Sequence, residues 1–131
     1  LCPSDGYANQ EVAAPGGGTR KVISYLWNGC FSFCSSYGRV RKPAAKIIIS
    51  ERSDAAGALA HQGYPGFAPL SAWESLIVHE RHRGVSNYLF VDWHVAGMKF
   101  AETVGDSTNC HQNDTNMHWL GQLSHPNPPC P

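Results

Sequence analysis

No stretch of this chain approaches the ~18 consecutive apolar residues of a membrane-spanning helix, and neither sign of charge prevails. Ten Lys and Arg offset ten Asp and Glu across 131 residues. The first absence excludes a helical span within this sequence. The second removes the whole-chain field that would gather nucleic acid or acidic lipid, so no nucleic-acid partner is expected. The nearest approach to a basic patch, "GRVRKPAAK" (38–46), reads as a solvated lead into a strand. A secretory leader is missing too: Leu1-Cys2-Pro3 opens directly into turn chemistry, as expected of a mature or truncated chain. Internal repeats are lacking. So are the motifs of nucleophilic or phosphate chemistry. There is no Gly-x-Ser-x-Gly elbow, no cysteine in a protease context, and "PGGGT" lacks the lysine of a phosphate loop. These gaps predict a non-enzymatic domain of 1–131.

Five cysteines, thirteen glycines and nine prolines are present instead, a balance that suits an oxidising compartment outside the cell. Only Cys30 and Cys34 are close in sequence, and zinc sites want such pairs in duplicate. Disulfides are the better reading. Cys110 with Cys130 would tie down the tail, and Cys2 would pair with Cys30 or Cys34. A loop of roughly twenty residues closed this way gains about 3 kcal/mol. One thiol remains over, buried or available for intermolecular pairing.

Turn residues punctuate 1–19 too often for regular structure. "RKVISYLW" (20–27) alternates, with Val22, Ser24 and Leu26 on one face and Ile23, Tyr25 and Trp27 on the other. Asn28-Gly29 then signals a turn. "AKIIISE" (45–51) is a strongly β-branched run that suits a central strand covered on both faces. A long surface loop is expected over 53–69. Ser71 and Glu74 form a capping box ahead of Trp73, Leu76 and Ile77, predicting the main helix over 71–81. "SNYLFV" (86–91) and "HVAGMKF" (94–100) read as strands joined at Asp92-Trp93, and "AETV" as a short helical continuation. Residues 105–131 read as an irregular, disulfide-tied tail. The fold class is α+β: a small antiparallel sheet, one main helix and long stapled loops.

Seven histidines raise the question of metal. "HERH" lacks the longer metalloprotease spacing, and Arg81 and Arg83 oppose a cation. A metal-dependent hydrolase using His79, His82, Asp92 and His94 is therefore the remotest alternative. No cofactor is required. Calcium is the more physical candidate, with Asp106 and Asp114 as hard oxygen ligands in "GDSTNCHQNDTN". Tyr64, Trp93 and Trp119 stand in polar, loop-like contexts. Such planar side chains stack on sugars or anchor subunit contacts, unless they fold back over the sheet edge.

One stretch carries a resemblance. In "RHRGVSNYLFVDWHV" (81–95), His82 is followed by nine residues and then Asp92. This resembles the signature of the prepilin-type processing-associated family, a His, nine residues and Asp-Gly. Arg81, His82, Gly84, Asn87, Phe90, Asp92, His94 and Val95 match in place. "LCPSD", "SYLWNG" and "KPAAKIIISERSD" look like further family segments, so the likeness covers about residues 1–100. It implies a type IV pilin or type II secretion pseudopilin-like head domain, displayed outside a bacterial cell. Self-association or pairing with other pilin-like subunits, or a polysaccharide ligand, would then be the partnership. Two departures stand out. Family members carry a long hydrophobic helix ahead of Cys-Pro-Ser-Asp, whereas this sequence begins there. Trp93 replaces the glycine after Asp92, and a bulky side chain is strained wherever φ is positive. Read physically, the motif is scaffold. Gly84 turns the chain, Asn87 and Asp92 satisfy turn amides, and His82 bonds Asp92 or a nearby carbonyl.

Overall fold

The computed structural model describes residues 11–14, 16–21, 24–28, 38, 40–53, 75–105 and 115–118. They form a four-stranded antiparallel sheet of order β3-β4-β5-β6, with β3 Tyr25–Trp27, β4 Ile47–Glu51, β5 Ser86–Phe90 and β6 Val95–Met98. A separate two-stranded ribbon pairs β1 Glu11–Ala13 with β2 Thr19–Lys21. One short helix, α1 Phe100–Val104, follows β6. The class is α+β.

β4 is central, as its β-branched run predicts. Ile47 packs into one cluster with Leu26, Ile77, Tyr88, Phe90 and Phe100. Ile48 packs into a second with Val40 and Val91. Adjacent residues of one strand face opposite ways, so β4 is covered on both sides. A register shift between Ile47 and Ile49 marks a bulge. The second face also carries a cross-strand apolar row. Trp27 pairs with Ile49, Ile49 with Leu89 and Leu89 with Val95, so the row runs the full width of the sheet. Each fully buried aliphatic or aromatic side chain contributes roughly 1.5–3 kcal/mol.

Several expectations need refinement or correction. The segment 1–19 is not all loop, because Glu11–Ala13 pairs with Thr19–Lys21 across three glycines at φ +94°, +98° and +82°. Those glycines make a hairpin tip, where left-handed backbone costs them little. In the 20–27 run Arg20 and Lys21 belong to β2 and Tyr25–Trp27 to β3, in different sheets. Val22 and Ile23 lie outside the described residues, and the buried Ser24 and Leu26 with the exposed Tyr25 keep the alternation. Gly29 lies outside the described residues, and Asn28 does more than signal a turn. It is fully buried, and its amide donates to the Ile48 carbonyl while its side-chain amide donates to the Ile47 and His118 carbonyls. Lastly, the helix predicted over 71–81 has stopped by Ile77. Ser75 and Leu76 are helical, but Ile77 bridges Arg52, and the Val78 amide donates to the Glu51 carbonyl. Pairing with the end of β4 outcompetes helical periodicity there. Residues 54–74 lie outside the described set.

Residues 115–118 belong to the stretch read as an irregular tail, yet 116–118 pack into the fold, with Asn116 and His118 buried and Met117 against the main cluster. The Ile47 amide donates to the Met117 carbonyl, and the Met117 amide to the Thr103 carbonyl. Gly105 permits the approach: at φ +59°, a Cβ there would lie 2.5 Å from the Thr115 hydroxyl oxygen. Lys46, within the segment read as solvated, is buried and donates through Nζ to the Asn116 carbonyl.

Candidate functional site

The family-like motif is divided between two places. Its first half wraps the end of β4. Glu51 closes an apolar strand yet is fully buried, so its carboxylate needs partners. His82 supplies one, donating from Nε2 to Oε1 at 2.8 Å. A carboxylate only accepts, so the proton is on Nε2. The backbone amide of Asn87 supplies the other, donating to Oε2 at 2.9 Å. His82 is aimed by its own turn, in which its amide donates to the Val85 carbonyl while Arg83 and Gly84 take φ +59° and +88°. Gly84 turns the chain as expected. Arg81 reaches back to the Arg52 carbonyl at 2.8 Å. His82 therefore bonds Glu51 rather than Asp92, a correction to the sequence reading. Strand pairing brings Glu51 into the path of a residue 31 positions away, and spacing along the chain does not show that.

The second half shapes the β5–β6 hairpin. The Trp93 amide donates to the Phe90 carbonyl, and the Phe90 amide to the His94 carbonyl. That is a three-residue loop, a tight turn followed by a left-handed bulge residue. The bulge residue is Trp93, at φ +74°. Asp92 Oδ1 accepts from the His94 amide at 3.2 Å and from His94 Nδ1 at 2.5 Å. The side-chain bond to His94 is the main reason the Asp92 carboxyl sits below its ordinary pKa. The His94 ring stacks on Phe90, 4.2 Å between centroids. Among the described residues none covers the tip: Trp93 is 72% and Val95 64% exposed.

A third polar group lies under the sheet. His118 is wholly buried, with Nε2 2.8 Å from Thr103 Oγ1. Thr103 already donates its hydroxyl proton to the Phe100 carbonyl, so His118 Nε2–H must be the donor. Burial first, and the Lys46 charge second, pull its pKa down to about 3. Beside it, burial and then the Glu51 charge push the Tyr88 phenol well above its ordinary value. Among the described residues, the buried Nε2 of His79, whose ring stacks on Phe100, has no hydrogen-bond partner.

The residues considered for a metal hydrolase are thus spent separately. His79 lies on Phe100, His82 on Glu51, and Asp92 on His94. Among the described residues no three His, Cys, Asp or Glu side chains gather as metal ligands. Asp106, Asp114, Tyr64, Trp119 and all five cysteines lie outside the described set, with the calcium and disulfide expectations that rest on them. Sequence reading missed Glu51, Lys46, Asn28 and Asn116, and weighed His118 only as a possible metal ligand. Glu51 alone carried a signal, a carboxylate ending a β-branched run. No helix among the described residues is long and apolar enough to cross a membrane. No protein-family model, curated protein or solved structure matches the chain.

Proposed function

We propose that this chain is a non-enzymatic structural domain, a pilin- or pseudopilin-like head that works by display and subunit contact at a bacterial surface. One observation carries the reading. The residues of the family-like motif are consumed internally, His82 and the Asn87 amide on buried Glu51 and Asp92 on its own turn. At the exposed β5–β6 tip the polar Asp92 and His94 are bonded to each other, and the large apolar side chains left open beside them are Trp93 and Val95. A catalytic site would turn its polar groups toward a substrate, whereas a structural unit satisfies them within and keeps apolar surface for a neighbour. Electron microscopy of the native material, with light scattering on the 131-residue chain, tests this. Filaments or concentration-dependent oligomers are expected; a strictly monomeric protein without filaments would overturn it.

The exposed indole of Trp93 favours a second reading, a polysaccharide-binding module in which the ring stacks on a sugar face. Glycan-array binding that Trp93→Ala removes, with no self-association, would select it.

A further inference from the structure

Two residues at the β6 edge are the wrong way round for an isolated chain. Trp93 stands at φ +74°, where glycine is at ease and a bulky side chain is strained by about 1–3 kcal/mol. Gly97 stands in an ordinary strand, where a Cβ would meet Asn87 Oδ1 and Val85 Cγ2 at 3.5 Å, normal contact distance. Among the described residues nothing around Gly97 therefore demands glycine, and glycine weakens a strand. A backbone outlier points to function, and a strand glycine often marks close approach by another backbone.

The edge itself says which backbone fits. Phe90 and His94 form a hydrogen-bonded pair. With Tyr88 opposite Ala96 and Asn87 opposite Gly97, alternation turns the amides and carbonyls of Ala96 and Met98 toward β5. Those of Val95 and Gly97 turn outward. Among the described residues no strand pairs with that edge.

We propose that two copies of this chain join β6 to β6, antiparallel, about a two-fold axis at Ala96. This rests on the subunit reading above and names its contact. In that register Val95 faces Gly97 of the other copy, and these are the residues whose backbone groups point outward. The pair can exchange amide-to-carbonyl bonds in both directions, twice by symmetry. Lys99, which is exposed, comes alongside Asp92 and Trp93 of the other copy, matching a cation to a carboxylate and an aromatic face. Gly97 lies diagonally from the other copy's Trp93, within reach of a large ring. The indole then covers the bare glycine backbone, which accounts for both misplaced residues together. A four-residue strand is a small contact, so a dissociation constant on the order of 10–100 µM is expected, tightened wherever subunits are arrayed.

Sedimentation equilibrium of the full chain up to ~500 µM, wild type against Trp93→Gly and Val95→Pro, tests it. Val95 opens β6, and its amide points away from β5, so proline there removes an interface donor and leaves the hairpin ladder intact. The wild type should dimerise and Val95→Pro should not. Trp93→Gly should weaken dimerisation at least ~10-fold while melting at a higher temperature, a split that a damaged fold would not produce. Association that both variants retain unchanged would overturn this interface and leave the subunit reading standing. A monomeric wild type without filaments would overturn both.

Discussion

The described residues include two histidine–carboxylate pairs of nearly the same chemistry, in opposite surroundings. His82 with Glu51 joins the start of β5 to the end of β4, and its carboxylate is fully buried. His94 with Asp92 sits on the β5–β6 turn, 2.5 Å apart, with both side chains more than a third exposed. The shorter contact is the weaker constraint. Water solvates Asp92 and His94 equally well when they separate, so their bond selects a turn shape and adds little stability. Glu51 has no such alternative. Losing His82 or the Asn87 amide would strand a buried charge. What these contacts are worth is set by burial, and the lengths of the bonds mislead.

The largest test of this comparison uses a histidine with no carboxylate. His118 is wholly buried with a folded-state pKa of about 3, below the unfolded value of 6.5. Between those values the unfolded chain takes up a proton that the folded chain refuses. Stability is thus fully present above pH 6.5 and falls as pH drops toward 3, by up to roughly 1.4 kcal/mol per pH unit. Urea titrations over that range should show the slope, and His118→Gln should flatten it. An unchanged slope in the variant would move the acid sensitivity elsewhere.

Glu51→Ala comes next. It leaves the Asn87 amide and the His82 ring without their acceptor, at about 3 kcal/mol. Glu51→Gln keeps one acceptor oxygen and should lose roughly half of that. Equal losses in both variants would show that the charge matters and the hydrogen bonds do not. Trp93→Gly should act in the opposite direction. Relief of left-handed strain raises stability by about 1 kcal/mol, read as a small rise in Tm. A drop would mean that the indole packs within its own chain. The smallest effect is expected from Asp92→Asn. It weakens the bond to His94 at an exposed site, so chemical denaturation should scarcely move. A loss as large as that of Glu51→Ala would break the comparison outright.

Legibility in the sequence followed the same division. The central strand at Ile47–Glu51 and the hairpin of Ser86–Phe90 with Val95–Met98 are readable, because β-branched runs and period-two alternation are local. Asp92-Trp93 was readable as the place where a bulky residue would be strained if φ were positive, and the structure supplies that φ, +74°. The helix over 71–81 misled at its C-terminal end. Its spacing was helical, yet Ile77 and Val78 pair with Arg52 and Glu51, and a partner 25 residues away leaves no mark on local periodicity.

The sequence by itself determined the α+β class, the two-sided burial of β4 and the position of the strained turn, each of which rests on neighbours along the chain. Only the tertiary structure decided where the polar groups go. Glu51 became the acceptor for His82, Asn28 and Lys46 came to hold carbonyls of residues 116–118, and His118 was sealed beneath the sheet. A buried donor or acceptor must be satisfied by whatever packing brings within about 3 Å. In this fold that partner is often dozens of residues away.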